Sequence, residues 1–262
     1  MGSASSTLKR LRQSLVGIDP SLTPALPGFG REVGLEPAID AALGGGLSCG
    51  ALHEIAPVAP IHLGSASGLA MALATLSSQG RGETLWITTD FAVGEAGGLY
   101  GPGLEIFGLD PARLLVLRVR RAVDALWAME EGLRCCALSG VVAELTGDGA
   151  DADLTATRRL ALAAREGKSM CLGLLLRHGA SSMPSAAVTR WQIAAAPSVP
   201  DKYGGLGPAR FDLSLVKNRR GPAGRWIIQW DHHEHVFLSS VSLSVAASPL
   251  DRSDRTRLVQ AS

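Results

Sequence analysis

Residues 50–70, GALHEIAPVAPIHLGSASGLA, decide how the chain is read. GALHEI is a short apolar run of strand character. A proline-punctuated bend, APVAP, follows, and then small residues lead into a helical pattern from Ala66 to Ser78. Strand, turn and helix in this order form the unit from which parallel sheets are built. The same alternation repeats downstream. GETLWITTD, LLVLRV, SGVVAEL and SMCLGLLL read as strands, with Val123, Leu126, Trp127 and Leu133 at helical spacing in one interval and residues 154–166 helical in another. Apolar runs of this kind suit strands buried on both faces, with helices as crossovers. The last third is different. RWQIAAAP, RFDLSLVKNR and GRWIIQWD lie close together, alternate in polarity and are joined by Gly/Pro turns, which fits antiparallel strands. The expectation is a three-layer α/β core with a mainly parallel central sheet and C-terminal antiparallel β strands.

The 262 residues carry 25 Lys+Arg against 24 Asp+Glu, a net charge of +1, so no global basic field points to nucleic acid. Hydrophobic residues make up 46%, and no apolar run approaches the roughly 18 residues of a membrane span. MGSASSTLKRLRQSL lacks an apolar signal core. The cysteines, Cys49, Cys135, Cys136 and Cys171, show no C-x-x-C spacing and read as small buried residues of a cytoplasmic protein. The chain divides into residues 1–30, with an amphipathic Leu8, Leu11, Leu15 helix and a proline-rich linker, a core over 31–245, and a polar tail over 246–262.

A phosphate-cradling loop, G-x-x-x-x-G-K-S/T, belongs between the first core strand and its helix. That place holds Gly64, Ser65, Gly68, Leu69 and Ala70: the glycines stand one residue too close, Leu69 replaces the lysine and Ala70 the Mg²⁺-binding hydroxyl. The loop reads as degenerate and the chain as no enzyme, with no cofactor. A divergent nucleotidase would need another cation, and His62 and Arg81 are the ones nearby in sequence. Asp90 and Glu144 end predicted parallel strands, where open α/β sheets place ligand sites, and with Leu69 in the lysine position they read as carboxylate remnants. Asp231, His233 and His235 would share one face if the run DHHEH is a strand, but three ligands without a fourth fit a solvated strand end better than a metal site. Of the segments after the fourth and fifth strands, TGDGADADL is acidic and RHGASSMPSAAV has no aromatic residue for base stacking, so direct DNA binding is expected to be weak or absent. The arginines 113, 118, 120, 121 and 134 read as crossover-surface charges, with 118–121 a cluster suited to phosphate or an acidic partner.

LEPAIDAALGGGLSCGALHEI resembles the opening of the RecA core, and LWITTD, FGLDPARLLVLRVRRAVDALWAMEEGL, GVVAEL and RFDLSLVKNRRGPAGRWIIQW follow in that superfamily's order. With the lost lysine, RWQIAAAPS and LVKNRRGPAGRWIIQWDHHEH, the chain resembles more closely the ImuA family of SOS mutagenesis proteins, related to RecA and SulA. The resemblance covers residues 35–238. It implies a RecA-like accessory protein of damage-induced mutagenesis that acts with an ImuB-like inactive polymerase homologue and through it with an error-prone C-family DNA polymerase; RecA is expected as a further partner because Lys217 and Arg219 are kept while the chain's own nucleotide loop is lost. Lys217, Asn218 and Arg219 match the RecA Lys-Asn-Lys stretch that reaches a neighbouring protomer's nucleotide. With Arg220 and the Leu8, Leu11, Leu15 helix they form the expected partner interface. The resemblance also admits a divergent DNA-stimulated NTPase or a SulA-like division inhibitor.

Overall fold

The protein, seen here in a computed structural model, is described over residues 31–78, 82–146, 152–166, 171–179, 183–200 and 204–239. The Leu8, Leu11, Leu15 helix, Arg81 and the tail from residue 246 lie outside them. Strands β1 (Glu32–Val33) and β2 (Leu47–Ser48) form a small antiparallel ribbon around helix α1 (Pro37–Leu43). The main sheet uses β3 (Ala51–Pro57), β4 (Glu83–Thr89), β5 (Leu114–Val119), β6 (Leu138–Leu145), β7 (Leu172–Arg177), β8 (Thr189–Ala195), β9 (Arg210–Asn218), β10 (Gly224–Asp231) and β11 (Val236–Ser239). Its order is β11-β10-β9-β8-β3-β7-β6-β4-β5. Neighbours from β8 to β5 run parallel and those from β8 to β11 antiparallel, an arrangement consistent with a RecA-like core. RWQIAAAP therefore belongs to both halves, parallel to β3 on one side and antiparallel to β9 on the other.

Helix α2 (Leu63–Ser78) packs on one face with α3 (Asp90–Ala96) and α4 (Gly101–Ile106) nearby, while α5 (Ala122–Arg134) and α6 (Leu154–Glu166) cover the other. Strands β3, β6 and β7 are buried throughout, as their apolar runs require. The equally apolar β5 is not. It is the sheet's edge, and Leu115 and Val116 are more than half exposed. Cys49 and Cys171 are buried, but Cys135 and Cys136, at the end of α5, are exposed. DHHEH does not continue a strand: residues 232–235 turn between β10 and β11, with Asp231 Oδ1 accepting from the backbone N–H of His233 (2.9 Å) and Glu234 (3.1 Å). An aspartate side chain folding back on the next residues favours such a turn, and the shared face on which a three-ligand reading rests is lost.

Two polar residues at the centre of β3 tie the sheet together. His53 accepts from or donates to Thr189 Oγ1 through Nδ1 (2.7 Å) and bonds Ser48 O through Nε2 (2.9 Å), while Trp191 Nε1 donates to the same threonine (2.8 Å). On the opposite face, Glu54 accepts from Arg177 Nη2 (3.0 Å) and Arg190 Nε (2.6 Å). Burial raises the Glu54 pKa, but the charge of Arg177 and hydrogen bonds from Ser185, Arg177 and Arg190 outweigh it and hold the carboxyl below its ordinary range. Breaking a buried pair from one side is the expensive case. Glu54→Ala removes the carboxylate that Arg177 and Arg190 share and should cost about 3–5 kcal/mol in urea unfolding.

Burial lowers the His53 pKa from 6.5 to about 4, the hydrogen bond to Ser48 opposing and the charge of Arg220 assisting. Between these values the unfolded chain binds the proton and the folded one does not. The His53 contribution is therefore complete above pH 6.5 and lost as pH falls toward 4. The loss is on the order of 3 kcal/mol. Melting temperatures between pH 7 and 5 should fall more steeply for the wild-type protein than for His53→Gln.

Candidate functional site at the carboxyl ends of the parallel strands

The carboxyl ends of β4, β5 and β6, together with α2, α3 and α4, enclose a cleft of about 600 Å³. Its walls are mainly apolar, with Met71, Trp86, Tyr100 and Phe107 among them, and its polar side chains include Ser67, Thr88, Arg118 and Glu144. Glu144 is buried at the end of β6. It accepts from Thr88 Oγ1 (2.9 Å) and Trp86 Nε1 (3.5 Å) and pairs with His178 Nε2 (2.7 Å), which follows β7. Burial pushes its pKa up, and the hydrogen bond and charge of His178, then Thr88 and Trp86, bring it below the ordinary glutamate value. Asp90 lies in the first turn of α3 and is exposed, with Arg118 Nε bonded to its Oδ1 (2.5 Å). The two carboxylates thus border the same region, Asp90 paired with Arg118 and Glu144 bonded to His178.

The segment expected as a nucleotide loop is helical. A short 3₁₀ turn, Pro60–His62, runs directly into α2 at Leu63, so Gly64, Ser65, Gly68, Leu69 and Ala70 occupy its first two turns. Leu69 and Ala70 face the core. Gly68 has a packing role, since an added Cβ would stand 2.7 Å from Phe107 Cζ, whereas nothing lies within 4 Å of one at Gly64. The bend before α2 has few free amides. Pro57 and Pro60 have no N–H, Val58 N donates to Ile193 O (2.9 Å) and His62 N to Ala59 O (2.9 Å). The His62 ring accepts from Ala195 N (3.1 Å), so its Nδ1 is engaged in holding the bend to β8.

The β9–β10 hairpin separates the four residues expected to act together. Lys217 Nζ donates to Ser185 O (2.5 Å), and desolvation, then Arg219 and Arg190, lower its pKa. Asn218 donates to Ala42 O (2.9 Å) and Pro222 O (3.0 Å). Arg220 bonds Glu32, Ser48 Oγ (2.6 Å) and Gly44 O (3.0 Å). Gly44, at φ 76°, takes the left-handed conformation that ends α1 and presents this carbonyl. Arg219 alone of the four is exposed. The arginines around β5 are likewise engaged: Arg113 with Glu83 (3.7 Å), Arg118 with Asp90, Arg121 with Asp124 (2.6 Å) and Arg134 with Glu130 (2.8 Å); Arg118, Arg120, Arg121 and Arg134 are all exposed. Among the described residues no group of three or more His, Cys, Asp or Glu could hold a metal ion, and no helix is long and apolar enough to cross a membrane. Sequence reasoning did not pair His178 with Glu144; the polar residues directly after the LGLLL run were the available signal.

Sheet order, crossover helices and a cleft at the parallel strand ends define an α/β protein of the class with ligand sites at that edge. No family model matches the sequence. The chain is 33% identical over 215 residues to Protein ImuA of Caulobacter vibrioides, in strain NA1000 / CB15N and in strain ATCC 19089 / CIP 103742 / CB 15 alike. The match covers 76% of this chain and 83% of the relative. The chain belongs to the ImuA family.

The two glycines of α2 give a test of the local packing. Gly64→Ala should raise stability by about 0.5 kcal/mol through helix propensity. Gly68→Ala must displace the Phe107 ring and should yield no gain or a net loss, as read from melting temperatures.

Proposed function

We propose that this protein is a non-catalytic accessory factor of damage-induced mutagenesis, working through protein contacts in an error-prone translesion synthesis complex. Membership of the ImuA family supports the cellular role. The observation that carries the non-catalytic part is the bend before α2. A phosphate cradle needs several convergent amides and a cation, and here two residues are prolines, two amides are bonded within the fold, and Leu69 fills the lysine's place with apolar core. Asp90 and Glu144, held by Arg118 and His178, then serve as structural acids. Partners in this reading are an ImuB-like inactive polymerase homologue, the C-family polymerase reached through it, and RecA. Direct contact with DNA is minor: Asp153 caps Ala156 N (2.7 Å) at the start of α6, and Arg177 and His178 are turned to Glu54 and Glu144.

Purified full-length protein should hydrolyse ATP no faster than the buffer background, with or without single-stranded DNA. Turnover that vanishes in Asp90→Asn or Glu144→Gln overturns the non-catalytic reading. Tagged protein recovered from cells before and after DNA damage should bring down the polymerase homologue after damage; recovery of the division tubulin homologue in its place would assign the chain to the division inhibitors.

A further inference from the structure

A second concavity, of about 280 Å³, opens on the other face of the sheet between α6 and the beginning of β8. Its floor is apolar, made by Leu52, Ala161, Leu162, Ala186 and Val188, and Leu162 is 54% exposed. Its rim holds Arg158 and Arg165 from α6 and Arg219 from the β9–β10 hairpin, whose backbone N–H is fixed to Val188 O (3.0 Å). Arg158, Leu162 and Arg165 are spaced four and three apart, so they line one side of the helix. Among the described residues no carboxylate lines the pocket.

The charge balance sets this place apart. On the neighbouring side of α6, Arg159 pairs with Glu130, and Glu166 pairs with Arg134. Among the described residues, Arg158, Arg165 and Arg219 have no side-chain hydrogen bond or ion pair, and all three are exposed. Three unmatched guanidinium groups repel one another, and the repulsion is relieved by an anionic occupant that brings carboxylates to the rim. The apolar floor adds a second requirement, an uncharged side chain to cover Leu162 and Val188. A nucleic-acid strand meets the first requirement and not the second, because among the described residues no aromatic ring lines the floor for a base to stack on.

We infer that this pocket docks an acidic segment of a partner protein, one apolar side chain entering over Leu162 while flanking Asp or Glu residues pair with Arg158, Arg165 and Arg219. The inference rests on the adaptor reading and gives its partner a chemistry and a place. It also assigns Arg219 a role distinct from that of Lys217, Asn218 and Arg220, which are engaged within the fold.

The probe is a set of fluorescein-labelled 12-residue peptides, each with one central Leu, Ile, Met or Phe flanked by Asp and Glu, compared with analogues carrying Lys or Gln in place of the acids or Ser in place of the apolar residue. Fluorescence anisotropy with the full-length protein should detect binding of acidic apolar peptides, weakening with added salt and absent for the Lys series. Simultaneous Arg158→Glu, Arg165→Glu and Arg219→Glu substitution should weaken it at least about tenfold, the three Arg→Lys changes much less, and Leu162→Ala several-fold. Circular dichroism melting establishes that the variants are folded, and amide shifts of Leu162, Ala186 and Val188 on titration locate the peptide. Absence of binding across the set, equal binding by the Arg→Glu variant, or an oligo(dT) strand displacing the peptides and showing the same dependence on the three arginines overturns the proposal. ATP turnover would sink the adaptor reading while leaving peptide binding measurable, so the two failures are distinguishable.

Discussion

Glu54 takes a negative charge into the middle strand of the sheet, where it is 1% exposed and can be held only by cations brought from other strands. Arg177 comes from β7 on one side and Arg190 from β8 on the other, so satisfying one carboxylate fixes the registers of three adjacent strands. The arrangement is not fully satisfied: Arg177 Nη2 serves both Glu54 and Ala152 O, while its Nε and Nη1 have no hydrogen-bond partner among the described residues. An apolar trio could pack there with less desolvation cost. What the charge contributes is placement, since a slip of one residue in β8 would put Arg190 on the face occupied by Trp191 and leave the carboxylate unmatched. His53, one residue earlier, does the same on the other face through Thr189 and Ser48. Neighbouring strands are thereby tied to one central strand on both faces of the sheet.

The strand ends near β6 follow from the same economy. A cleft at the carboxyl ends of parallel strands commonly gathers polar groups for a ligand. Here its glutamate is bonded to a threonine, a tryptophan and a histidine, and its exposed aspartate to an arginine. The bend before α2 is made of prolines and internally bonded amides. These features spend the polar atoms of the strand-end cleft on the fold. The opposite face has the converse arrangement, with an apolar hollow and arginines unmatched within the described fold, and chemistry directed outward is found there.

Much of this was legible in the sequence because burial on both faces leaves a plain trace. β3, β6 and β7 are apolar without interruption, and all three are interior strands. LLVLRV leaves the same trace and is an edge, because its place in the sheet depends on the order of strands and not on its own composition. Small residues at 64–68 look like a turn, yet Pro60 starts a 3₁₀ turn that passes straight into helix, and Gly68 is small for the sake of a phenylalanine 39 positions later. Glu144 lies near the end of β6 and Asp90 directly follows β4, but Arg118 and His178, which are bonded to them, are 28 and 34 residues away. Asp231 was itself the signal for the turn at 232–235, since its side chain caps the two amides that a strand would have left to its neighbour.

The bonds from Arg220 to Gly44 O and Ser48 Oγ span 176 and 172 residues of chain. During synthesis the glycine turn, the first ribbon and the end of α1 must wait for a guanidinium that leaves the ribosome roughly 10 to 35 seconds later, at translation speeds of about 5–20 residues per second. For most of that interval, until residues 172–177 and 189–195 emerge, β3 lacks both β7 and β8, so the central strand has both edges open. Nascent chains are therefore committed late, and a truncation before the hairpin removes the clasp at the opposite end of the polypeptide. Association with another protein while the chain is still being made would act on a half-sheet, which gives the timing of translation a hold on assembly that the finished fold does not reveal.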